Sequence, residues 1–301
     1  MRTMLDMVVK GLAACAAAFQ FLSRLPIPVK LDYNDALFRR SVVFYPLVGV
    51  VLGLLFALAG ALLRAGFPSA GADIPGTGID FGFGFGAGLG PGTAAALVLL
   101  LWVGLTGALH LDGLMDTADG IFSHRSREQM LDIMKDSRVG AMGVIACILT
   151  LLLKWTLLEQ WLMLPGTELI CMLPLATLWS RWYMVVAIAC WPYARREQEG
   201  RGIGSFFRGL GVKHLALHTL LALLLSMGLM WLSGGPASPF SPKGLMAVGT
   251  AAAGALLIGI GASVYLNRKL GGLTGDTYGA MNELIETALL LLLYIAITAM
   301  R

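Results

Sequence analysis

The chain has 301 residues, 57% of them hydrophobic and 13% charged, with a formal net charge of +4 and a mean hydropathy of +0.77. A soluble domain of ordinary composition carries about 25% charged residues. The shortfall excludes a water-covered globular protein and predicts a surface that faces lipid over most of its area. The cysteines, Cys15, Cys147, Cys171 and Cys190, stand singly in apolar runs without a CxxC spacing, so they read as small buried hydrophobes.

A helix needs about 20 apolar residues to cross the hydrocarbon layer. The first apolar stretch, 4–22, is short and broken by Lys10, and reads as an interfacial or re-entrant helix. Seven later segments are long enough to span: 42–63, 93–110, 141–163, 169–191, 214–232, 244–266 and 284–300. The expected fold is therefore all-α, a polytopic membrane bundle of about seven transmembrane helices plus the N-terminal helix. It forms one integral membrane domain over 1–301, with no internal repeat. His214 and His218 lie four apart at a helix entrance and read as an interfacial pair. Lys154 with Glu159 reads as a structural pair inside the third span.

The basic residues fix an orientation. Those before the first span and those in the loops at about 111–140, 192–213 and 267–283 all fall on the same side of a seven-span chain. The opposite side receives Arg64, Lys243 and Arg301. By the positive-inside rule the basic side is cytoplasmic, which places the N-terminus inside. The loops on the other side, 71–92 and 233–243, are rich in glycine and turn-forming residues and carry no candidate chemistry.

Residues 110–138, HLDGLMDTADGIFSHRSREQMLDIMKDSR, hold six of the chain's 18 carboxylates. Asp112, Asp116 and Asp119 are spaced i, i+4, i+7 and fall within about 60° of one another on a helix. Asp132 and Asp136 repeat the i, i+4 spacing on a second helical segment. Like charges on one face repel, and a cation relieves that repulsion. Hard oxygen ligands suit Mg²⁺ or Mn²⁺, so Asp112, Asp116, Asp119, Asp132 and Asp136 are the expected metal ligands. Lys135 and Arg138, interleaved with them, are placed to grip phosphate oxygens. Acids for a metal beside bases for an anion point to phosphoryl transfer, with Asp116, Asp119 and Asp136 at its centre. For the general base, His110 and an unligated aspartate compete.

Three further segments belong to this reading. Arg181, inside the fourth span, is costly there by about 3 kcal/mol, and either an internal ion pair or a substrate phosphate accounts for it. Arg195, Arg196 and Arg201 lie near glycines and suit an anionic substrate or the membrane surface, with Arg201 in GRGIG the more flexible. In GGLTGDTYGAMNELIE, 271–286, the glycines allow close backbone approach to a phosphate and Asp276 adds an oxygen ligand or substrate contact. Glu283 and Glu286 read as acids at a helix N-terminus.

DGLMDTADG followed by IMKDSRVGAMG resembles the central motif of the cobalamin synthase family, the adenosylcobinamide-GDP ribazoletransferases. FLSRLPIP at 21–28, FYPLVGVVLG at 44–53, SRW at 180–182, PYARREQEGRGIG at 192–204 and GGLTGDTYGAMNELIE resemble that family's other segments in order. The resemblance implies that adenosylcobinamide-GDP is joined to α-ribazole or its 5′-phosphate, releasing GMP and giving adenosylcobalamin or its 5′-phosphate. It also implies Mg²⁺ as cofactor and a multi-pass location in the bacterial inner membrane. No nucleic-acid partner is expected. Whether the chain forms a homo-oligomer or associates with other enzymes of cobalamin synthesis is open at this level.

Two other readings compete. Asp116-xx-Asp119-Gly120 and Asp132-xxx-Asp136 echo the ends of the CDP-alcohol phosphotransferase motif, but the Ala-Arg pair after the glycine is absent. A transporter is the alternative of another class, and it requires charged groups near the middle of several spans.

Overall fold

A computed structural model describes residues 2–65, 90–164, 166–195, 210–233 and 241–299. Arg201, Arg196 and most of the two glycine-rich connecting loops lie outside the described residues. The chain forms a bundle of helices: α1 (Arg2–Leu22), α2 (Asp35–Ser41), α3 (Tyr45–Ala65), α4 (Pro91–Thr106), α5 (Leu109–Phe122), α6 (Arg127–Ile133), α7 (Ala141–Leu162), α8 (Gly166–Cys190), α9 (Val212–Ser233), α10 (Pro242–Leu270) and α11 (Gly275–Thr298). Among the described residues six stretches are long and apolar enough to cross a membrane, and the bent pair α4–α5, counted as one broken span, makes seven. The protein is thus a polytopic membrane bundle. α1 is not among these stretches, as its broken pattern predicts.

The central post is α8, almost wholly buried. It packs on α3 at a Gly49-xxx-Gly53 step, where a Cβ on Gly53 would come within 2.5 Å of the Pro174 Cα. Small residues let membrane helices approach closely because lipid offers apolar side chains no better partner than another helix. The Thr177 hydroxyl donates to the Gly49 carbonyl at 2.7 Å across the same contact. Around this post, α7, α9 and α10 turn leucine and isoleucine outward, among them Leu149, Leu224 and Leu257, as lipid-facing helices do.

Two boundaries differ from the sequence reading, and both shape the site. The second span does not run on to residue 110. It stops at Thr106, because Gly107 (φ 62°) and Ala108 (φ 57°) both take left-handed conformations. The chain then turns by 87° into α5, so His110 and the three aspartates lie on a helix that runs across the end of the bundle. The last helix begins at Gly275, nine residues earlier than the apolar run suggests. Thr274 and Thr277 exchange hydrogen bonds in a capping box, the Thr277 amide donating at 3.2 Å and the Thr274 amide at 2.8 Å.

Several contacts gather the basic and acidic loops at one end. The Arg24 amide donates to the Leu105 carbonyl at 2.7 Å, joining α1 to the end of α4. The Ala194 amide donates to Leu273 and the Leu273 amide to Pro192, each at 2.8 Å, tying the exit of α8 to the entrance of α11. Gly272 (φ 156°) permits this, since a Cβ there would sit 2.6 Å from the Ala194 nitrogen. At the opposite end, Arg64 bonds the Leu164 carbonyl.

Candidate active site

Asp112, Asp116 and Asp119 share the outer face of α5, which crosses α11 at close range. A Cβ on Gly113 would meet the Asp276 carbonyl oxygen at 2.6 Å, and one on Gly279 would come 3.2 Å from the His110 Cα. These glycines bring Asp276, in the first turn of α11, against the acidic face of α5. The Asp116 carboxyl is pushed up to about 6, by partial burial first and then by the charges of Asp112, Asp276 and Asp119. Arg195 opposes the shift. It pairs with Asp276 at 2.7 Å, both side chains partly exposed.

Asp119 has a distinct job. Its two oxygens accept the Gly140 amide at 2.7 Å and the Gly143 amide at 2.8 Å, which are the cap and third residue of α7. A carboxylate at that position satisfies orphan amides and complements the helix dipole. The loop 123–140 is thereby tied back to α5, and Gly140 and Gly143 leave the space that the carboxylate fills.

The second acidic pair stands apart from the first. α6 ends at Ile133, so only Asp132 is helical, and it is exposed. Asp136 is held by Arg138, whose Nη2 and Nε donate to it at 2.6 and 3.0 Å. Those hydrogen bonds lower the Asp136 carboxyl to about 2. Lys135 is exposed. Among the described residues no three acids, histidines or cysteines converge tightly enough to enclose a metal ion. The five-acid cage anticipated from sequence is therefore not preassembled, because Asp136 folds onto Arg138 and Asp119 onto the start of α7. What remains is the mutually repelling group Asp112, Asp116 and Asp276, a donor set that fits a cation needing one or two carboxylates and completing its shell with water and substrate phosphate, as Mg²⁺ does.

Arg181 lies elsewhere. It is fully buried, with its Nη1 donating to Glu286 at 2.7 Å and to the Thr177 carbonyl at 2.9 Å. Of the two readings of this residue, the structure places it in the internal ion pair. Lys154 pairs with Glu283 at 2.6 Å and Glu286 at 2.7 Å, not with Glu159. Trp102 donates its indole N–H to Glu286 at 3.2 Å and stacks beneath the Lys154 ammonium, 4.9 Å from the ring centroid. Glu283 and Glu286 sit two and three turns inside α11 because that helix starts early. The interior thus holds the mid-span charges that a transporter reading requires, but two cations and two anions neutralise one another in a closed cluster. His218, expected at the interface, is buried with its Nε2 3.1 Å from the Trp182 carbonyl.

His110 is 2% exposed. The Asn282 side-chain amide donates to its Nδ1 at 3.2 Å, which leaves the ring proton on Nε2, an atom with no partner. Sequence reasoning gave Arg195 no preference over its neighbours; only its contact with Asp276 separates it. Tyr45, which lines a cavity beside His110, offered no signal within an apolar span.

A polytopic bundle with an acidic face across one end, flanked by arginine and glycine-bounded helix starts, has the make-up of a membrane transferase acting on phosphate-bearing substrates. The family model described as cobalamin-5-phosphate synthase matches residues 14–294, and the chain belongs to this family. The chain is 38% identical to the adenosylcobinamide-GDP ribazoletransferase of Desulforamulus reducens, over 92% of this chain and 94% of that one. It is 37% identical to the enzyme of the same name from Brevibacillus brevis, over 92% and 95%. For the one from Klebsiella pneumoniae the identity is 36%, over 92% and 97%. No solved structure matches.

Proposed function

We propose that this protein is a ribazoletransferase of cobalamin biosynthesis, joining adenosylcobinamide-GDP to α-ribazole or its 5′-phosphate with release of GMP. The observation that carries the chemistry is the close crossing of α5 and α11 at Gly113, which sets Asp276, paired with Arg195 at 2.7 Å, against the helix that carries Asp112 and Asp116. A hydroxyl oxygen of the riboside forms a bond to the phosphorus nearer the cobinamide. The bond from that phosphorus to the bridging oxygen breaks, and GMP departs with the electron pair. The hydroxyl proton passes to a carboxylate of the group. Asp112 and Asp116 would hold Mg²⁺, which when bound would neutralise charge on the diphosphate. Arg195 is placed to bind a phosphate oxygen on exchanging partners from Asp276. Asp119 holds the α6–α7 loop, which carries Lys135 and Arg138, against the site. The distribution of Lys and Arg supports a cytoplasmic site in the bacterial inner membrane.

The test supplies adenosylcobinamide-GDP and α-ribazole to membranes containing the chain, with Mg²⁺ or chelator, and follows GMP. We expect GMP release that chelator abolishes and Mg²⁺ restores. No GMP above background with Mg²⁺ present overturns the proposal, and release indifferent to chelator removes the metal.

A further inference from the structure

On the other side of α5 from the acids lies a groove of about 310 Å³, bounded by α5, α7, α10 and α11. Ile121 and Phe122 of α5, Ala146 of α7, Leu266 of α10, and Met281 and Leu284 of α11 form its walls. Apart from Thr117 and Tyr265, every lining residue is apolar. The groove opens at the flank of the bundle, where Phe122, Tyr265 and Leu284 are each about half exposed. From Leu284 an uncovered stripe continues along α11 through Leu291 and Ile295, at helical spacing, toward the far end of the molecule.

Tyr265 at the rim suits the headgroup level of a bilayer, where an aromatic ring meets hydrocarbon and its hydroxyl meets water. Lys269 follows Tyr265 by four residues and Leu266 by three, so it stands one turn further on the same face of α10. With Arg268 it makes up the basic last turn of that helix, both side chains exposed. Neither cation pairs with an acid among the described residues. This is the end that the basic residues mark as cytoplasmic, where the leaflet carries anionic lipid. We propose that the groove is a site for one anionic phospholipid, with its phosphate on Lys269 and Arg268. One acyl chain lies in the groove and runs on along Leu291 and Ile295. A substrate arm is the poorer occupant, because α5 itself stands between the groove and the reacting groups. Asp112, Asp116 and Asp119 project from the face of α5 opposite Ala118 and Ile121, which line the groove. The chain instead supports α5 from beneath, supplying dispersion contacts that an empty groove forfeits. The position of the acids on α11, and hence turnover, then depends on the charge of the surrounding lipid.

The test reconstitutes the full chain in nanodiscs of phosphatidylcholine with or without phosphatidylglycerol, and reads retained lipid by native mass spectrometry and turnover by GMP release. We expect phosphatidylglycerol to be retained in preference to phosphatidylcholine. Removing the two charges in Arg268→Gln/Lys269→Gln lowers that retention, by roughly fivefold for each charge. Leu284→Trp fills the groove from its open side and abolishes retention with helical circular dichroism unchanged. Wild-type turnover is higher in discs containing phosphatidylglycerol, and Arg268→Gln/Lys269→Gln loses that gain while its rate in phosphatidylcholine stays that of the wild type. Equal retention of the two lipids by the wild type, or undiminished phosphatidylglycerol in both variants, overturns the site. Loss of α-ribazole binding in Leu284→Trp assigns the groove to substrate and overturns it equally. Turnover indifferent to phosphatidylglycerol overturns the support of α5. The lipid site does not rest on the transferase reading: retention with the expected variant effects, but no GMP release in any disc, upholds the site and removes that reading.

Discussion

Replacing Asp119 by asparagine separates its role from that of Asp116, although both lie on the same face of α5. The Asp119 carboxylate accepts the Gly140 and Gly143 amides at 2.7 and 2.8 Å, one on each oxygen. Asparagine keeps one acceptor oxygen and turns an amide group toward the other N–H. One charge-assisted hydrogen bond is lost, at a cost of about 2 kcal/mol. Applied to local opening of the loop and first turn of α7, that is about a 30-fold rise in the opening equilibrium. Amide hydrogen exchange read at Gly140 and Gly143 in nanodiscs measures it directly. We expect both amides to exchange faster, turnover to fall, and the Mg²⁺ concentration for half-maximal activity to stay near its original value. Asp116→Asn should do the opposite: unchanged protection at the two glycines and a large rise in the Mg²⁺ requirement. Unaltered exchange in Asp119→Asn would refute the tethering role.

Other perturbations follow from the same geometry. The Asp116 carboxyl, raised to about 6, binds a proton more readily in the folded protein than in the unfolded chain. In the metal-free protein its contribution to stability is therefore lost as pH rises from the ordinary carboxylate range through about 6, and added Mg²⁺ should reverse that loss. Thermal unfolding across this range with and without Mg²⁺ checks the sign, and stability rising with pH in the metal-free Asp116-dependent component refutes it. Gly113→Val should push α5 from α11, because a Cβ already meets the Asp276 carbonyl oxygen at 2.6 Å. Turnover should be lost while the helical circular dichroism is retained; full activity would show that the crossing need not be close. Lys154→Met leaves Glu283 buried without its cation, at a cost of about 3–5 kcal/mol. The double variant Lys154→Met/Glu283→Leu keeps the Arg181–Glu286 pair and should recover much of that loss in thermal unfolding. Equal destabilisation of the two variants would contradict the pairing.

Some of this protein is written in its linear pattern. Seven apolar runs and their basic flanks specify a membrane bundle, because the cost of an unpaired backbone in lipid allows only helices and closed barrels to cross it, and runs of about 20 apolar residues fit helices. The i, i+4, i+7 spacing of Asp112, Asp116 and Asp119 placed them on one face, since helical periodicity is a local property. Other features depended on contacts that no local pattern encodes. The apolar run continues past Thr106, so the 87° turn at Gly107 and Ala108 was not legible in hydropathy. The early start of α11 is set by the Thr274–Thr277 cap, and it carried Glu283 and Glu286 from an expected surface into the core. There they meet Lys154 and Arg181, residues more than 100 positions away in sequence. The partners of Asp119, Asp136, Arg181 and Arg195 were likewise decided in three dimensions. Charge type and spacing say which residues can share a cation or a phosphate, but packing decides which of them are already satisfied. That is why the acidic motif and Asp276 could be named as candidates from sequence alone, while the pairing of Asp276 with Arg195 and the hold of Asp119 on the start of α7 appear only in the folded bundle.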